Sequence, residues 1–388
     1  MPFAAALSEH PLATHAVGEV VGAVVERLGG RPDLAVLFVG APHVGATEDI
    51  AAAVRRLLDP GALIGCTAST VAGGRREAED TPALALWAGR FGSAVPFRLT
   101  VAGPPGDAAI TGFPAAADLP PEASAVLVLA DPFSFPVDQF LLERRALAGT
   151  ELPVVGGLAS AARGPGGNRL VVGDRVLTDG AVGVVVAGVD VSTVVSQGCR
   201  PVGDPLIVTR GEGQLIGELA GRPALERLQE MVRALGPEEL ALARQGLHVG
   251  RVIDESKVDF GRGDFLIRSV LGADPSAGAV AVGDAVSVGD TVQFQVRDAA
   301  SAAEDLHHLL DPEVADAALL FTCNGRGTHL FGVADHDATV LDTALGGAPT
   351  AGMSCAGEIG PVGGRSFLHG FTASIALFRE IRDRKPSG

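Results

Sequence analysis

Apolar and polar positions follow a regular rhythm from the start of this 388-residue chain. Across Ala13–Leu28 the residues Val17, Val20, Val21, Val24, Val25 and Leu28 recur at helical spacing. This predicts a helix with one apolar face, stopped by Gly29 and Gly30. The unbroken apolar run at residues 34–39 predicts a strand buried on both faces. Thr47 is expected to cap a second helix, with Glu48 and Asp49 in its first turn and Arg55 and Arg56 in its last. Ile50, Val54, Leu57 and Leu58 form its apolar stripe. A short strand at residues 62–64 then runs into Gly65-Cys66-Thr67-Ala68, Gly73-Gly74 turns the chain, and residues 83–87 return as a strand.

The same order of strand, helix, glycine joint and returning strand is read twice more. The second stretch has a strand at 125–129, a helix at 137–147, a short strand at 153–155 ending in Gly156-Gly157-Leu158-Ala159, a glycine-rich turn at 164–167 and a strand at 180–186. The third has a strand at 318–321, a helix at 338–345, the joint Gly352-Met353-Ser354-Cys355-Ala356-Gly357, a turn at Gly363-Gly364 and a strand at 370–378. From the opening Ala to the joint Gly the offsets are 30, 31 and 34 residues (35 to 65, 125 to 156, 318 to 352). Between the second and third stretches the pattern changes to a hairpin across 211–213, a helix at 223–235, strands at 247–250, 265–268, 279–282 and 291–296, and a helix at 299–310. The expected fold is therefore mixed α/β: layered mixed sheets covered by helices, built from repeated strand-helix-strand-hairpin units. Residues 1–205 are expected to hold two units, and residues 206–388 the third with its β-rich insertion.

Composition narrows the function. Hydrophobic residues make up 47% and charged residues 20%, with mean hydropathy +0.31, so the chain can bury a large core. Net charge is −16 and aromatics are 4%, with no Tyr and one Trp, Trp87. That field repels phosphate backbones and anionic membranes, and the stacking platforms for single-stranded nucleic acid are scarce. No apolar run reaches about 18 residues and the N-terminus lacks a basic start, so a cytoplasmic protein without a membrane span is expected. The four cysteines, Cys66, Cys199, Cys323 and Cys355, form no Cys-x-x-Cys pair, which removes the zinc-ribbon reading and predicts no metal centre.

The densest polar cluster joins Cys323-Asn324-Gly325-Arg326-Gly327 to Ser354, Cys355, Gly357 and Glu358, with Gly65-Cys66-Thr67 at the corresponding joint of the first stretch. Glycines let backbone N–H groups approach a ligand, Arg326 offers a planar fork to a carboxylate, and Glu358 an acceptor to an ammonium. An amino-acid-like ligand matches both ends; the competing reading pairs Arg326 with Glu358 to hold two loops together. Cys323 or Cys355 with His369 would make a thiol nucleophile pair, and His329, His336 and His369 are the candidate axial ligands for haem. No assembled catalytic constellation is legible, which leans away from an enzyme.

The stretch Cys323-Asn324-Gly325-Arg326-Gly327, then Leu330-Phe331-Gly332, Gly357-Glu358-Ile359-Gly360-Pro361 and Phe367-Leu368-His369-Gly370-Phe371-Thr372-Ala373, resembles the C-terminal FIST domain (F-box and intracellular signal transduction). Leu63-Ile64-Gly65-Cys66-Thr67-Ala68 with the acidic Glu77-Ala78-Glu79 is similar to the N-terminal FIST domain. The resemblance implies a bacterial sensory module for small ligands, amino acids among them, that signals through an output such as a kinase, a chemoreceptor or a cyclic-dinucleotide enzyme. No stretch is left for such an output, so a separate partner chain is expected. The family also implies haem-based nitric-oxide sensing as an alternative, although no cofactor is the leading expectation. Asn324, Gly325, Arg326, Gly357 and Glu358 are the motif positions carried over.

Overall fold

The computed structural model describes residues 1–103, 108–147, 152–257, 259–261 and 263–381. The chain opens with β1 (Phe3–Ser8) and α1 (Ala13–Leu28), followed by β2 (Leu34–Gly40), α2 (Thr47–Leu58) and β3 (Ala62–Ala68). A hairpin of β4 (Thr70–Gly73) and β5 (Arg76–Glu79) leads to β6 (Leu84–Gly89), β7 (Ser93–Ala102) and the short β8 (Ala109–Thr111). Next come β9 (Ala123–Ala130), α3 (Val137–Leu147), β10 (Val154–Leu158), the hairpin β11 (Leu170–Val172) and β12 (Arg175–Leu177), β13 (Ala181–Ala187) and β14 (Val189–Gln197). The central stretch holds β15 (Cys199–Glu212), β16 (Leu215–Leu219), β17 (Arg222–Pro223), α4 (Ala224–Ala234), α5 (Pro237–Gln245), β18 (Leu247–Val252), β19 (Phe265–Asp274), β20 (Ala279–Val282), β21 (Thr291–Arg297) and α6 (Ala299–Leu310). The last holds β22 (Ala317–Cys323), the short α7 (Thr328–Phe331), α8 (His336–Ala344), β23 (Thr350–Cys355), the hairpin β24 (Glu358–Val362) and β25 (Arg365–His369), and β26 (Thr372–Glu380). The fold is mixed α/β, with mixed sheets and covering helices.

Packing divides the chain into two units, with changes at Val195 and Leu306. One unit comprises Met1–Val195, His307–Leu368 and Thr372–Gly388, and the other Ser196–Leu306 with His369–Phe371. The first unit contains three sheets, ordered β1-β6-β2-β3-β11-β12, β25-β24-β10-β9-β13-β7-β8 and β14-β26-β22-β23-β4-β5. Each is built on one parallel pair, β2–β3, β9–β10 or β22–β23. Each is extended by a hairpin from another stretch of chain: β11–β12 on β3, β24–β25 on β10 and β4–β5 on β23. The inner faces share one core in which Phe3, Trp87 and Phe378 meet, with Trp87 and Phe378 at 4.8 Å between ring centres. α1 and α2 cover the outer face of the first sheet, and α3 that of the second. In the second unit β15-β21-β18-β19-β20-β16 is closed by pairing of β15 with β16, giving an antiparallel barrel. Closure leaves that sheet no open edge along these six strands.

Two sequence expectations are corrected here. Gly65, Gly156 and Gly352 do not sit in turns beyond strand ends; they lie inside β3, β10 and β23. A Cβ at these positions would come to 2.4 Å from Leu37 O, 1.9 Å from Val128 O and 2.1 Å from Leu320 O. Close approach of the parallel neighbour, not chain reversal, requires glycine at each. The glycine cluster at 164–167 does turn, with Gly167 N donating to Gly164 O at 3.4 Å, but it closes no hairpin; the reversal between β11 and β12 occurs at Gly173 (φ +59°). Helix α5 was not expected: its residues are exposed or half-buried, so no apolar stripe announces it.

Candidate functional site

Arg326 follows the end of β22, where its backbone N–H donates to Cys323 O at 2.9 Å. Its side chain is fully buried and forms a bidentate pair with Asp337 on α8, Nε–Oδ2 at 2.6 Å and Nη2–Oδ1 at 2.9 Å. Phe331 lies beneath the guanidinium, 5.2 Å from ring centre to Cζ. His336 in turn stacks on Phe331 at 3.5 Å, and its Nδ1 is 3.0 Å from Asp337 Oδ1. Asp337 takes two of the guanidinium's donors, while the charge of Glu358 acts on Arg326 from nearby. Glu358, also fully buried, accepts from Thr372 N at 3.1 Å and Thr372 Oγ1 at 2.8 Å.

Burial works against charge on both members of the Arg326–Asp337 pair, and their mutual attraction overcomes it. The guanidinium is held above its ordinary pKa and the carboxyl well below the usual carboxylate range. Around this pair the β4–β5 hairpin contributes further contacts. Glu77 Oε1 accepts from Ala338 N at 2.8 Å, Glu77 N donates to Asp335 Oδ1 at 2.7 Å, and Glu79 Oε1 accepts from Thr328 N at 2.9 Å. Gly327 (φ +62°) admits Glu79, because a Cβ there would lie 2.6 Å from Oε1. Gly325-Arg326-Gly327 and Glu77-Ala78-Glu79, far apart in sequence, are thus two halves of one joint.

The other sequence-selected residues belong to the framework of this region. Gly65, Cys66 and Thr67 are buried in β3; Cys66 Sγ lies 3.1 Å from Met353 Sδ, and Thr67 Oγ1 accepts from Arg169 N at 2.9 Å. Cys323 and Cys355 are register partners on β22 and β23, and Asn324 N donates to Cys355 O at 2.9 Å. Ser354 O accepts from Ser160 Oγ at 2.5 Å, and Gly357 O from Leu158 N at 2.8 Å. Burial pushes the Cys66 and Cys355 thiols up, opposite to what a nucleophilic thiolate requires. Of the candidate haem ligands, His336 is engaged as described, His329 lies on α7 and His369 is buried at the end of β25.

Glu77 gives the joint a measurable pH signature. Burial, reinforced by the negative charge of Asp337, raises its carboxyl from an ordinary 4.5 to about 7, against a smaller downward pull from the Ala338 N–H and Arg326. The folded protein then holds a proton that the unfolded chain releases near pH 4.5. This contribution to stability is full at lower pH and declines as pH rises to about 7. Glu77→Gln keeps an acceptor for Ala338 N and should remove that decline. Urea midpoints at pH 5 and pH 8 should converge in the variant relative to the wild type; an unchanged difference would refute the assignment.

A second place with unspent chemistry lies on the outer side of the β25-β24-β10-β9-β13-β7-β8 sheet. Val137, Phe140 and Leu141 turn one face of α3 into the core, and Arg144 occupies the next position of that stripe. It is 8% exposed, with Cζ 4.4 Å over the Phe113 ring. Its Nη1 is buried and has no hydrogen-bond partner among the described residues. Burial alone lowers its pKa. Arg144 lines a cavity of about 700 Å³ whose apolar wall includes Ile110, Phe113, Leu119, Phe140 and Leu152. Gln139 ties the wall together, donating to Ala108 O at 2.7 Å and Glu143 Oε1 at 2.6 Å. The signal for this site was present in the sequence as a charged residue at the fourth position of the stripe 137, 140, 141, 144.

The three-sheet unit, with its Arg–carboxylate joint assembled from both recognised motif stretches, defines the class to which the chain can be assigned. The FIST N domain model matches residues 33–222 and the FIST C domain model residues 224–361. The chain belongs to the FIST family, whose domains are generally associated with signal transduction and small-ligand sensing. It is 47% identical over 381 residues to an uncharacterised protein of Mycobacterium bovis, a match covering 95% of this chain and 96% of that one. It is 46% identical over 385 residues to an uncharacterised protein of Mycobacterium tuberculosis, covering 96% and 98%. Among the described residues, no helix is long and apolar enough to cross a membrane.

Proposed function

We propose that this protein is a cytoplasmic small-ligand sensor that takes its ligand in the cavity beside α3. It passes its state to a separate partner chain, a kinase or a cyclic-dinucleotide enzyme being the output class its family suggests. The observation that carries the reading is a buried guanidinium, with no ion-pair partner among the described residues, on the wall of a cavity of about 700 Å³. Small-molecule sites fall in the range of roughly 300–1,000 Å³, mostly apolar with a few placed polar groups. The Arg326 joint serves as framework in this reading, since Asp337 already neutralises its cation.

Nile red, a neutral apolar dye, tests the cavity independently of what the natural ligand is. The expected result is a saturable rise in fluorescence at about one dye per chain. Ala116→Trp, which places an indole into the cavity wall, should abolish most of that rise. No binding, or equal binding in the Trp variant, would overturn the reading.

A further inference from the structure

We infer that the cavity beside α3 selects an amphipathic monocarboxylate, an acid group attached to an apolar acyl or aryl body, with Arg144 as its anion clamp. This rests on the proposed cavity reading and adds the ligand's chemical class. A buried guanidinium is costly unless its charge and its donors are met. This chain meets the charge of Arg326 with a buried carboxylate that takes two of its donors, leaving Nη1 unpartnered among the described residues. At Arg144 no such carboxylate is present among the described residues, and Nη1 remains unpartnered. Phe113 occupies one face of the guanidinium plane at 4.4 Å, which fixes its orientation without satisfying its N–H donors. A carboxylate is the small anion whose two oxygens match such a fork.

The remainder of the wall specifies what the acid carries. Ile110, Phe113, Pro114, Leu119, Phe140 and Leu152 present hydrocarbon side chains, so a ligand with an apolar body gains burial that a fully polar one such as a free amino acid does not. Among the described residues, the one acidic side chain on the wall is Glu143, held by Gln139 at 2.6 Å. Its charge disfavours a second anionic group and supplies no buried partner for a cation. One positive charge, one modest repulsion and a large apolar volume together describe a monoanion with a hydrocarbon body.

Displacement of Nile red from the full chain tests the class. Decanoate and 2-naphthoate should displace the dye at concentrations at least about tenfold lower than decanol and 2-naphthalenemethanol, since the acids alone gain a charge-assisted contact. Comparison of the two acids distinguishes an acyl from an aryl ligand. Arg144→Gln should retain the dye and lose the preference for acid over alcohol. If wild-type protein binds the dye but acid and alcohol displace it equally, the ligand class is wrong while the cavity reading stands. If the dye is not bound at all, both fall. If Arg144→Gln keeps the acid preference, the clamp is not Arg144.

Discussion

Asp337→Ala should lower the stability of the first unit by about 3–5 kcal/mol, because it leaves the Arg326 guanidinium fully buried beside no carboxylate that takes its fork. Unfolding in urea followed by Trp87 fluorescence reads this directly. Trp87 is the only tryptophan, and it sits in the core shared by the three sheets. The double variant Arg326→Met with Asp337→Leu should recover most of the loss, since replacing both members of a buried pair with apolar groups of similar volume is often nearly neutral. A single variant within about 1 kcal/mol of wild type would show that the pair is not what closes this joint. A double variant as unstable as the single one would place the effect in packing rather than charge.

Gly352→Ala should cost at least about 3 kcal/mol, comparable with the more severe cases of overpacking. The new Cβ would lie 2.1 Å from Leu320 O and 2.7 Å from Leu320 Cβ, in the central parallel pair of its sheet. Neither group can move without separating β22 from β23. Gly22→Ala provides the control: this glycine lies within α1 with open space around it, and there the same substitution should stabilise by up to about 1 kcal/mol. Equal effects at the two positions would show that close strand approach is not what selects glycine at 352.

These two residues also mark where reading the sequence succeeded and where it stopped. Helix α1 is legible to the residue because its apolar period and its glycine stop are both local. Arg326 was recognised as the centre of a polar cluster, but its partner was not. Asp337 looks like an ordinary polar residue on a helix, and nothing local reveals that the helix turns it into a buried joint. Glycine in β3, β10 and β23 reads from sequence alone as punctuation, because its usual message is a turn. The contrary message, a neighbour too close for a side chain, is written in the partner strand. Arg144 was missed for the reverse reason: its apolar period was visible, and a cation on the buried side of α3 signals an unmet demand only once its surroundings are known.

The exchange of hairpins among the three sheets has a consequence for biosynthesis. When β10 leaves the ribosome, the strand that will cover its flank, β24, has not been made, and β14 awaits β26 in the same way. At roughly 5–20 residues per second, these flanks stay bare for about ten to forty seconds during each round of translation. Exposed backbone donors and acceptors of that kind invite pairing between nascent chains. Yield should therefore improve when elongation is fast relative to encounters between neighbouring nascent chains.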